Sequence, residues 1–310
     1  MTKHLRSLMD RSPADTDAVI DLAAKVKANP GDYNKALDGK SIAMIFAKQS
    51  TRTRISFEVG IHQLGAQPLA LSAGGGTGMQ MGRGETIHDT AKVLSRFVHG
   101  IVIRTYGQDQ VDGLAEHGSV PVVNALTDAY HPCQALADLQ TIREHFGTTK
   151  GKKLVYVGAG NNVTHSLMLA GPRAGMDIVC ACPESLPPNA YVLDAARRDA
   201  AEAGTKVELQ PDLMKAAEGA HVLYTDTWVS MGEEEEAKEL LAKLQGYCIT
   251  EEVMSAAADD AKFMHCLPAH REEEVTTEVM DGPRSIVFDQ AENRLHAQKA
   301  LLEFLIAGNI

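Results

Sequence analysis

Hydroxyl and guanidinium groups are concentrated in the segment FAKQSTRTRISFE, at residues 46–58. The group consists of Ser50, Thr51, Arg52, Thr53 and Arg54. It follows an apolar run, where a strand would give way to a helix. A helix N-terminus offers unpaired N–H groups and a partial positive charge, which favour phosphate, and an arginine fork matches phosphate oxygens. The segment therefore predicts a phosphate or carboxylate site, with a simple Ser/Thr helix cap as the alternative.

Arg54 within this segment and Arg104 outside it are expected to have different partners. Arg104 ends a second apolar run and is placed to reach the same anion, although an arginine there is more often a surface ion pair. Arg54 lies four residues before Glu58, so these two side chains are expected to pair along the helix.

The tetrapeptide HPCQ at 131–134 opens another predicted helix. His131 and Gln134 are three residues apart and share a helix face, so both can point at one small polar group. An imidazole there can stabilise charge developing on a carbonyl oxygen. The alternative is a capping histidine followed by proline in the first helical turn.

Three later turns also carry polar groups. VGAGNNV (157–163) contains only part of a dinucleotide fingerprint, with Glu184 as the candidate ribose acid, while its asparagine amides also suit a carboxylate or ammonium. In DTWVSMG (226–232), Asp226 suits an amine and Ser230 the head of an amino acid, or Asp226 simply caps a helix. In HCLP (265–268), Cys266 is a candidate nucleophile or a buried, inert thiol.

Apolar runs alternate with helix-period segments along the chain, which predicts parallel sheets covered by helices on both faces. The predicted strands are 41–46, 100–105, 120–125, 153–158, 177–182, 221–226, 262–267 and 285–290. The predicted helices are 14–28, 54–64, 86–98, 131–146, 162–174, 188–203, 236–245 and 291–307. Ligands of open α/β sheets bind at the carboxyl ends of strands, where all the clusters above lie.

The chain of 310 residues is long enough for two domains. We expect one domain over 1–147, with a C-terminal helix at 291–310 packing back on it, and a second over 148–290. The fold class expected is α/β, with two doubly wound parallel-sheet domains; if the two sheets face each other by their strand ends, the active site lies in the cleft between them.

The charge, cysteine and histidine content of the chain limits the kinds of binding partner and the cellular compartment that we expect. The formal net charge of −11 argues against nucleic acid and anionic membranes. Five cysteines without a CxxC pair favour a reducing cytoplasm, and the histidines show no compact metal-binding spacing, so we expect no metal.

Taken together and in this order, STRTR, HPCQ, DTWVSMG and HCLP resemble the ornithine carbamoyltransferases of the aspartate/ornithine carbamoyltransferase family. The resemblance runs from FAKQSTRTR to FDQAENRLHAQKALL, which is nearly the whole chain. It implies a carbamoyl phosphate domain followed by an ornithine domain, no cofactor, and a cytoplasmic homotrimer of arginine biosynthesis. Ala47 and Ala159 depart from the family pattern, because acidic residues are usual at both places.

The resemblance also implies roles for individual residues. Catalytic roles fall to Arg104, His131 and Cys266. Carbamoyl phosphate contacts fall to Ser50, Thr51, Arg52, Thr53, Gln80, Arg104, His131, Gln134, Cys266, Leu267 and Arg294. Ornithine contacts fall to Asn162, Asp226, Ser230 and Met231. Gln80 is expected to reach a neighbouring subunit's site.

The activity implied is transfer of the carbamoyl group from carbamoyl phosphate to the δ-amino group of L-ornithine, giving L-citrulline and phosphate. A carbamoyltransferase for N-acetylornithine, putrescine or aspartate is the nearest alternative. A dinucleotide-dependent oxidoreductase and a non-catalytic phosphate-binding regulator are more distant ones.

Overall fold

The structure, a computed structural model, describes residues 3–48, 50–72, 84–229 and 237–308. The chain divides into two compact units, the first formed by Met1–Gln140 with Glu292–Ile310 and the second by Thr141–Ala291. Gln80, Ser230 and Met231 lie outside the described residues.

The first unit is built on a parallel sheet. Its strands are β1 (Ser41–Phe46), β2 (Gln67–Ser72), β3 (Gly100–Arg104) and β4 (Val122–Leu126). They lie in the order β2-β1-β3-β4. The central strands read as unbroken apolar runs and are buried, as expected when helices cover both faces of a sheet. The helices that precede or follow these strands are α1 (Pro13–Ala28), α2 (Thr51–Gln63), α3 (Ile87–Phe97) and α4 (Gln108–His117).

The second unit repeats this architecture. Its strands are β5 (Lys153–Val157), β6 (Asp177–Ala181), β7 (Val207–Leu209), β8 (Val222–Thr225) and β9 (Lys262–His265), in the order β7-β6-β5-β8-β9, all parallel. Helix α5 (Pro132–Phe146) precedes β5, and the helices that follow it are α6 (Asn162–Arg173), α7 (Ala190–Ala203), α8 (Leu213–Ala217), α9 (Ala237–Leu244), α10 (Glu251–Ala256) and α11 (Thr277–Met280). The boundaries between the units fall inside two helices, α5 (Pro132–Phe146) and α12 (Val287–Ile306).

Strand order reverses once in each sheet, between β1 and β3 and between β5 and β8. Open α/β sheets bind ligands just beyond the carboxyl ends of the strands at such a switch point. In the first unit this point brings together the start of α2 and Arg104. In the second it brings together the GAGNN turn and Asp226.

The prediction of two parallel α/β sheets is confirmed, but one predicted strand is wrong. Residues 285–290 do not form a strand: Ser285 makes a single bridge to Phe263, and α12 begins at Val287. The sequence of this region reads like a strand because three apolar residues, Ile286, Val287 and Phe288, follow one another, although Phe288 is exposed in the structure. Among the described residues, no helix is both long and apolar enough to cross a membrane.

Candidate active site

The start of α2 is built by a side-chain cap. Ser50 precedes the helix in extended conformation, and its Oγ accepts a hydrogen bond from the backbone N–H of Thr53 over 3.2 Å. Thr51 and Arg52 are exposed on the first turn, whereas Thr53 faces inward and is buried. The cap thus fixes a helix N-terminus with its remaining N–H groups and Arg52 at the edge of the sheet. Arg54 pairs with Glu58 at 3.5 Å, as predicted.

Two buried guanidinium groups converge on Thr53. Arg104, at the end of β3, donates from Nη1 to Thr53 Oγ1 over 3.4 Å. Arg294, on α12, donates from Nη2 to the same oxygen over 3.3 Å. Their exposed fractions are only 8% and 5%. Both guanidinium groups place positive charge beside the N-terminus of α2, so this arrangement is suited to an anion at the helix start.

His131 lies in the same unit and immediately precedes α5. Burial, followed by the positive charges of Arg294 and Arg104, holds the pKa of its imidazole well below the usual value. The ring is therefore neutral at physiological pH. A neutral imidazole can donate a hydrogen bond to a carbonyl oxygen without first taking up a proton.

Gln134, on the first turn of α5, is joined to this cluster. Its Oε1 accepts a hydrogen bond from Arg294 Nη1 over 2.6 Å, and it is almost completely buried. The sequence predicted that Gln134 and His131 share a helix face. The structure adds a contact between Gln134 and Arg294, which is 160 positions away.

In the second unit, Asp226 is the centre of a polar cluster just beyond β8. Its Oδ1 accepts from the thiol of Cys266 over 2.8 Å and from the backbone N–H of Thr227 over 2.8 Å. Its Oδ2 accepts from Nδ2 of Asn161 over 3.3 Å. Three donors hold the carboxylate in one orientation, where it can pair with an ammonium group of a ligand.

The HCLP turn is held by a buried histidine. The backbone N–H of Leu267 donates to His265 Nδ1 over 2.8 Å, so the ring hydrogen is on Nε2, which lies 3.2 Å from Oε1 of Glu274. Both His265 and Glu274 are fully buried. Leu267 has a φ of 58°, which is uncommon for a branched residue and recurs at functional sites. These bonds maintain Cys266 beside Asp226.

The GAGNN turn is explained by chain packing and helix capping. A Cβ on Gly160 would collide with the backbone of Pro187 and Pro188, so glycine is needed for this close approach. Asn161 caps α6 by accepting from the N–H groups of Val163 and Thr164. The predicted ornithine contact, Asn162, is the first residue of α6 and is half-buried.

One group of the described residues offers ligand atoms close enough together for a metal ion. It comprises His270, Glu273 and Glu274, whose ligand atoms lie within 4.8 Å of one another. Glu274 already accepts from the backbone N–H of His270 and from His265, and it maintains the turn that follows β9.

Comparison with known proteins identifies the family. Residues 3–144 match the family domain described as "Aspartate/ornithine carbamoyltransferase, carbamoyl-P binding domain". Residues 150–305 match "Aspartate/ornithine carbamoyltransferase, Asp/Orn binding domain". The chain belongs to the aspartate/ornithine carbamoyltransferase family.

Several members of this carbamoyltransferase family are similar over nearly their full length. The ornithine carbamoyltransferase of Acidothermus cellulolyticus is 49% identical over 306 residues, which cover 99% of this chain and 97% of that protein. The corresponding protein of Parafrankia sp. is 51% identical, with 98% and 96% covered. The solved structure of ornithine carbamoyltransferase from Pyrococcus furiosus is 48% identical, with 100% and 98% covered and a TM-score of 0.94.

The structure adds two residues, Asn161 and Asp138, to those assigned to the site from the sequence. Asn161 contacts Asp226, although only its neighbour Asn162 was predicted as a site residue. Asp138 accepts from Gln134 but lies one helical turn beyond the HPCQ motif. Its spacing of four residues from Gln134 was the available signal.

Proposed function

We propose that this chain transfers the carbamoyl group from carbamoyl phosphate to the δ-amino group of L-ornithine, giving L-citrulline and phosphate. The observation that carries the proposal is the convergence of Arg104 and Arg294 on Thr53 at the start of α2. This cluster is suited to a small phosphate ester, and the names of the relatives specify the acceptor.

Carbamoyl phosphate binds to the first unit, which we assign to 1–147 with the helix at 291–310. Ser50, Thr51, Arg52 and Thr53 surround the phosphate with N–H, hydroxyl and guanidinium donors. Arg104 and Arg294 add positive charge from the buried side. Because phosphate is the leaving group, these charges stabilise it as the C–O bond breaks.

The carbonyl of the substrate is polarised by His131 and Arg104. As the amine attacks, negative charge grows on the carbonyl oxygen, and fixed donors lower the energy of that state. His131 contributes as a neutral donor because its lowered pKa keeps it unprotonated. Gln134, Cys266 and Leu267 complete the contacts proposed for the carbamoyl group.

Ornithine binds to the second unit, which we assign to 148–290. Asp226 pairs with its positively charged amino group, and Asn162, Ser230 and Met231 provide the remaining contacts. The attacking δ-amine must be neutral, whereas a free alkyl amine has a pKa of about 10.4. Removal of water from around the amine favours the uncharged form.

The acceptor is tested by initial-rate assays with a panel of amines. We expect citrulline formation with ornithine, and much slower reaction with N-acetylornithine, putrescine and aspartate. Aspartate is disfavoured because its second carboxylate would meet Asp226. No carbamoyl transfer to any of these amines would overturn the proposal, and carbamoyl phosphate binding without turnover would identify a regulator.

The oxidoreductase alternative receives less support. Gly160 is required by the close approach of Pro187 and Pro188, so no dinucleotide is needed to explain it. The proposed transfer exchanges one carbonyl substituent for another without change of oxidation state and calls for no redox cofactor. Titration with a nicotinamide nucleotide tests this alternative, and we expect no binding.

The proposal also covers the oligomeric state, the cellular compartment and the pathway. We propose a homotrimer in which Gln80 reaches a neighbouring site, acting in cytoplasmic arginine biosynthesis. Exposed apolar side chains one turn apart support an oligomer: Ile55 and Val59 on α2, and Val93 and Phe97 on α3. Light scattering in solution tests this, with a mass near three times 33.4 kDa expected; a monomer mass would contradict it.

A further inference from the structure

The fully buried carboxylate of Asp138 contacts the side chain of Gln134. Asp138 is four residues further along α5, and its Oδ1 accepts a hydrogen bond from Gln134 Nε2 over 2.9 Å. The exposed fraction of Asp138 is 0%, and that of Gln134 is 1%. Burying a carboxylate costs folding free energy, so the buried position of Asp138 indicates a specific role in addition to packing.

The two partners of Gln134 determine which way its amide faces. A guanidinium only donates hydrogen bonds, so the amide oxygen must face Arg294. The NH₂ group then faces Asp138, and an ionised carboxylate only accepts. A reversed amide would place its NH₂ against the donors of Arg294 and its oxygen against the oxygen of Asp138. Both contacts would be repulsive, so the pair of charged partners fixes one orientation.

This orientation has a consequence for substrate choice. The Gln134 oxygen has a second lone pair and lies beside an arginine that also contacts Thr53. An oxygen there can accept from the amino group of carbamoyl phosphate. Acetyl phosphate has nearly the same shape but carries a methyl group in place of this amino group, and a methyl group cannot donate.

We propose that Asp138 is a positioning residue that holds the Gln134 amide oxygen toward the substrate and thereby selects a carbamoyl over an acetyl phosphate. This inference rests on the proposed function, because it assumes that carbamoyl phosphate binds beside Thr53. Asp138 acts through Gln134 and does not itself touch the substrate.

Substitution of Asp138 tests the proposal. Without the carboxylate in D138A, Arg294 is the one charged partner left to orient the Gln134 amide, so the amide is held less firmly and the KM for carbamoyl phosphate rises by at least about 10-fold. The inhibition constants of acetyl phosphate and inorganic phosphate change by less than about 3-fold, since neither ligand uses the Gln134 oxygen. D138N keeps an acceptor oxygen and recovers part of the selectivity. Leu139→Ala, a buried change on the same helix, controls for lost stability and leaves the ratio of the constants unchanged.

Non-additivity separates positioning from a general structural role. In a Gln134→Met background there is no amide to orient, so adding D138A changes the KM by less than about 2-fold. Equal losses for all three phosphates, or full additivity of D138A and Q134M, would overturn the proposal. Wild-type enzyme that forms no citrulline would instead overturn the proposed function.

A second variant leaves Asp138 intact, in case D138A does not fold. Gln134→Glu replaces the donor that faces Asp138 by an acceptor, and two carboxylates in contact share a proton. We expect its KM for carbamoyl phosphate to be raised at least about 10-fold at pH 8 and to fall again as the pH is lowered. A KM for Q134E that is unchanged, or raised equally at every pH, would contradict the proposed orientation of the amide.

Discussion

The thiol of Cys266 donates a hydrogen bond to Oδ1 of Asp226, with the two atoms 2.8 Å apart. The residues follow β9 and β8, which are neighbours in the sheet, so a separation of 40 positions in sequence becomes a direct contact. The thiol and two N–H donors hold the carboxylate in one orientation. Asp226 is thereby prepared to receive an ammonium group.

Asp226→Asn should reduce kcat/KM for ornithine by about 30-fold or more, because a charged contact contributes about 2 kcal/mol. The KM for carbamoyl phosphate should change much less, since Asp226 is not among the residues assigned to that substrate. Asp281→Asn is a matched control, because Asp281 pairs with Arg271 at the surface. Steady-state kinetics check both variants, and a value for Asp226→Asn within 3-fold of wild type would remove this residue from the ornithine site.

Two substitutions of Cys266 distinguish its role as a hydrogen-bond donor from any role of its sulfur atom. Cys266→Ala removes the donor, and we expect kcat/KM for ornithine to fall about 10-fold, since a lost hydrogen bond to a charge costs about 1.5 kcal/mol. Cys266→Ser keeps a donor and should stay within about 3-fold of wild type. Should the serine variant be as slow as the alanine variant, the thiol has a role that hydrogen bonding does not explain.

Arg52 and Arg54 form a matched pair on the first turn of α2. Arg52→Ala should weaken carbamoyl phosphate binding by at least about 2 kcal/mol, as for a lost charged contact. Arg54→Ala should change it by less than about 0.5 kcal/mol, because Arg54 is paired with Glu58 at the surface. Calorimetric titration of both variants decides this, and an unchanged affinity for Arg52→Ala would exclude Arg52 from the phosphate site.

His131 should make folding stability depend on pH. Its folded pKa lies well below the unfolded value of about 6.5, so the unfolded chain binds more protons as the pH falls below 6.5. Its effect on stability is therefore absent above that pH, and stability is lost progressively below it, by at most about 1.4 kcal/mol per pH unit.

Denaturant unfolding of His131→Asn between pH 5 and 8 provides the measurement. The variant should lose less stability than wild type on acidification, and the difference should appear below pH 6.5. His88→Asn is a suitable control because His88 is exposed. Parallel curves for wild type and His131→Asn would show that His131 does not resist protonation in the folded protein.

The sequence was most informative where a local rule applied. The cap at Ser50, the pairing of Arg54 with Glu58 and the long buried strands follow from neighbours in the chain. Two short or half-exposed strands, β2 and β7, were not predicted, because their alternation is weak. The error at 285–290 arose because a short run of consecutive apolar residues at a helix start resembles a strand.

Contacts between distant segments could not be read from spacing. Arg294 was selected only through family resemblance, and its bonds to Gln134 and Thr53 depend on how α12 packs. Asp138 was missed because it acts by holding another polar residue, and the amide of Asn161 was noted in its turn without being assigned to the site. The spacing of Asp138 from Gln134 permits a contact on one helix face, but the structure is what shows that the contact is made.

The central claim is that the δ-nitrogen of ornithine forms a bond to the carbamoyl carbon. NMR of a reaction between ¹³C-labelled carbamoyl phosphate and δ-¹⁵N-labelled ornithine observes this bond directly. We predict a citrulline carbonyl signal split by one-bond ¹³C–¹⁵N coupling, which appears with enzyme and at a far lower rate without it. An enzyme-dependent carbamoyl product without that coupling, or no enzyme-dependent product at all, would contradict the account.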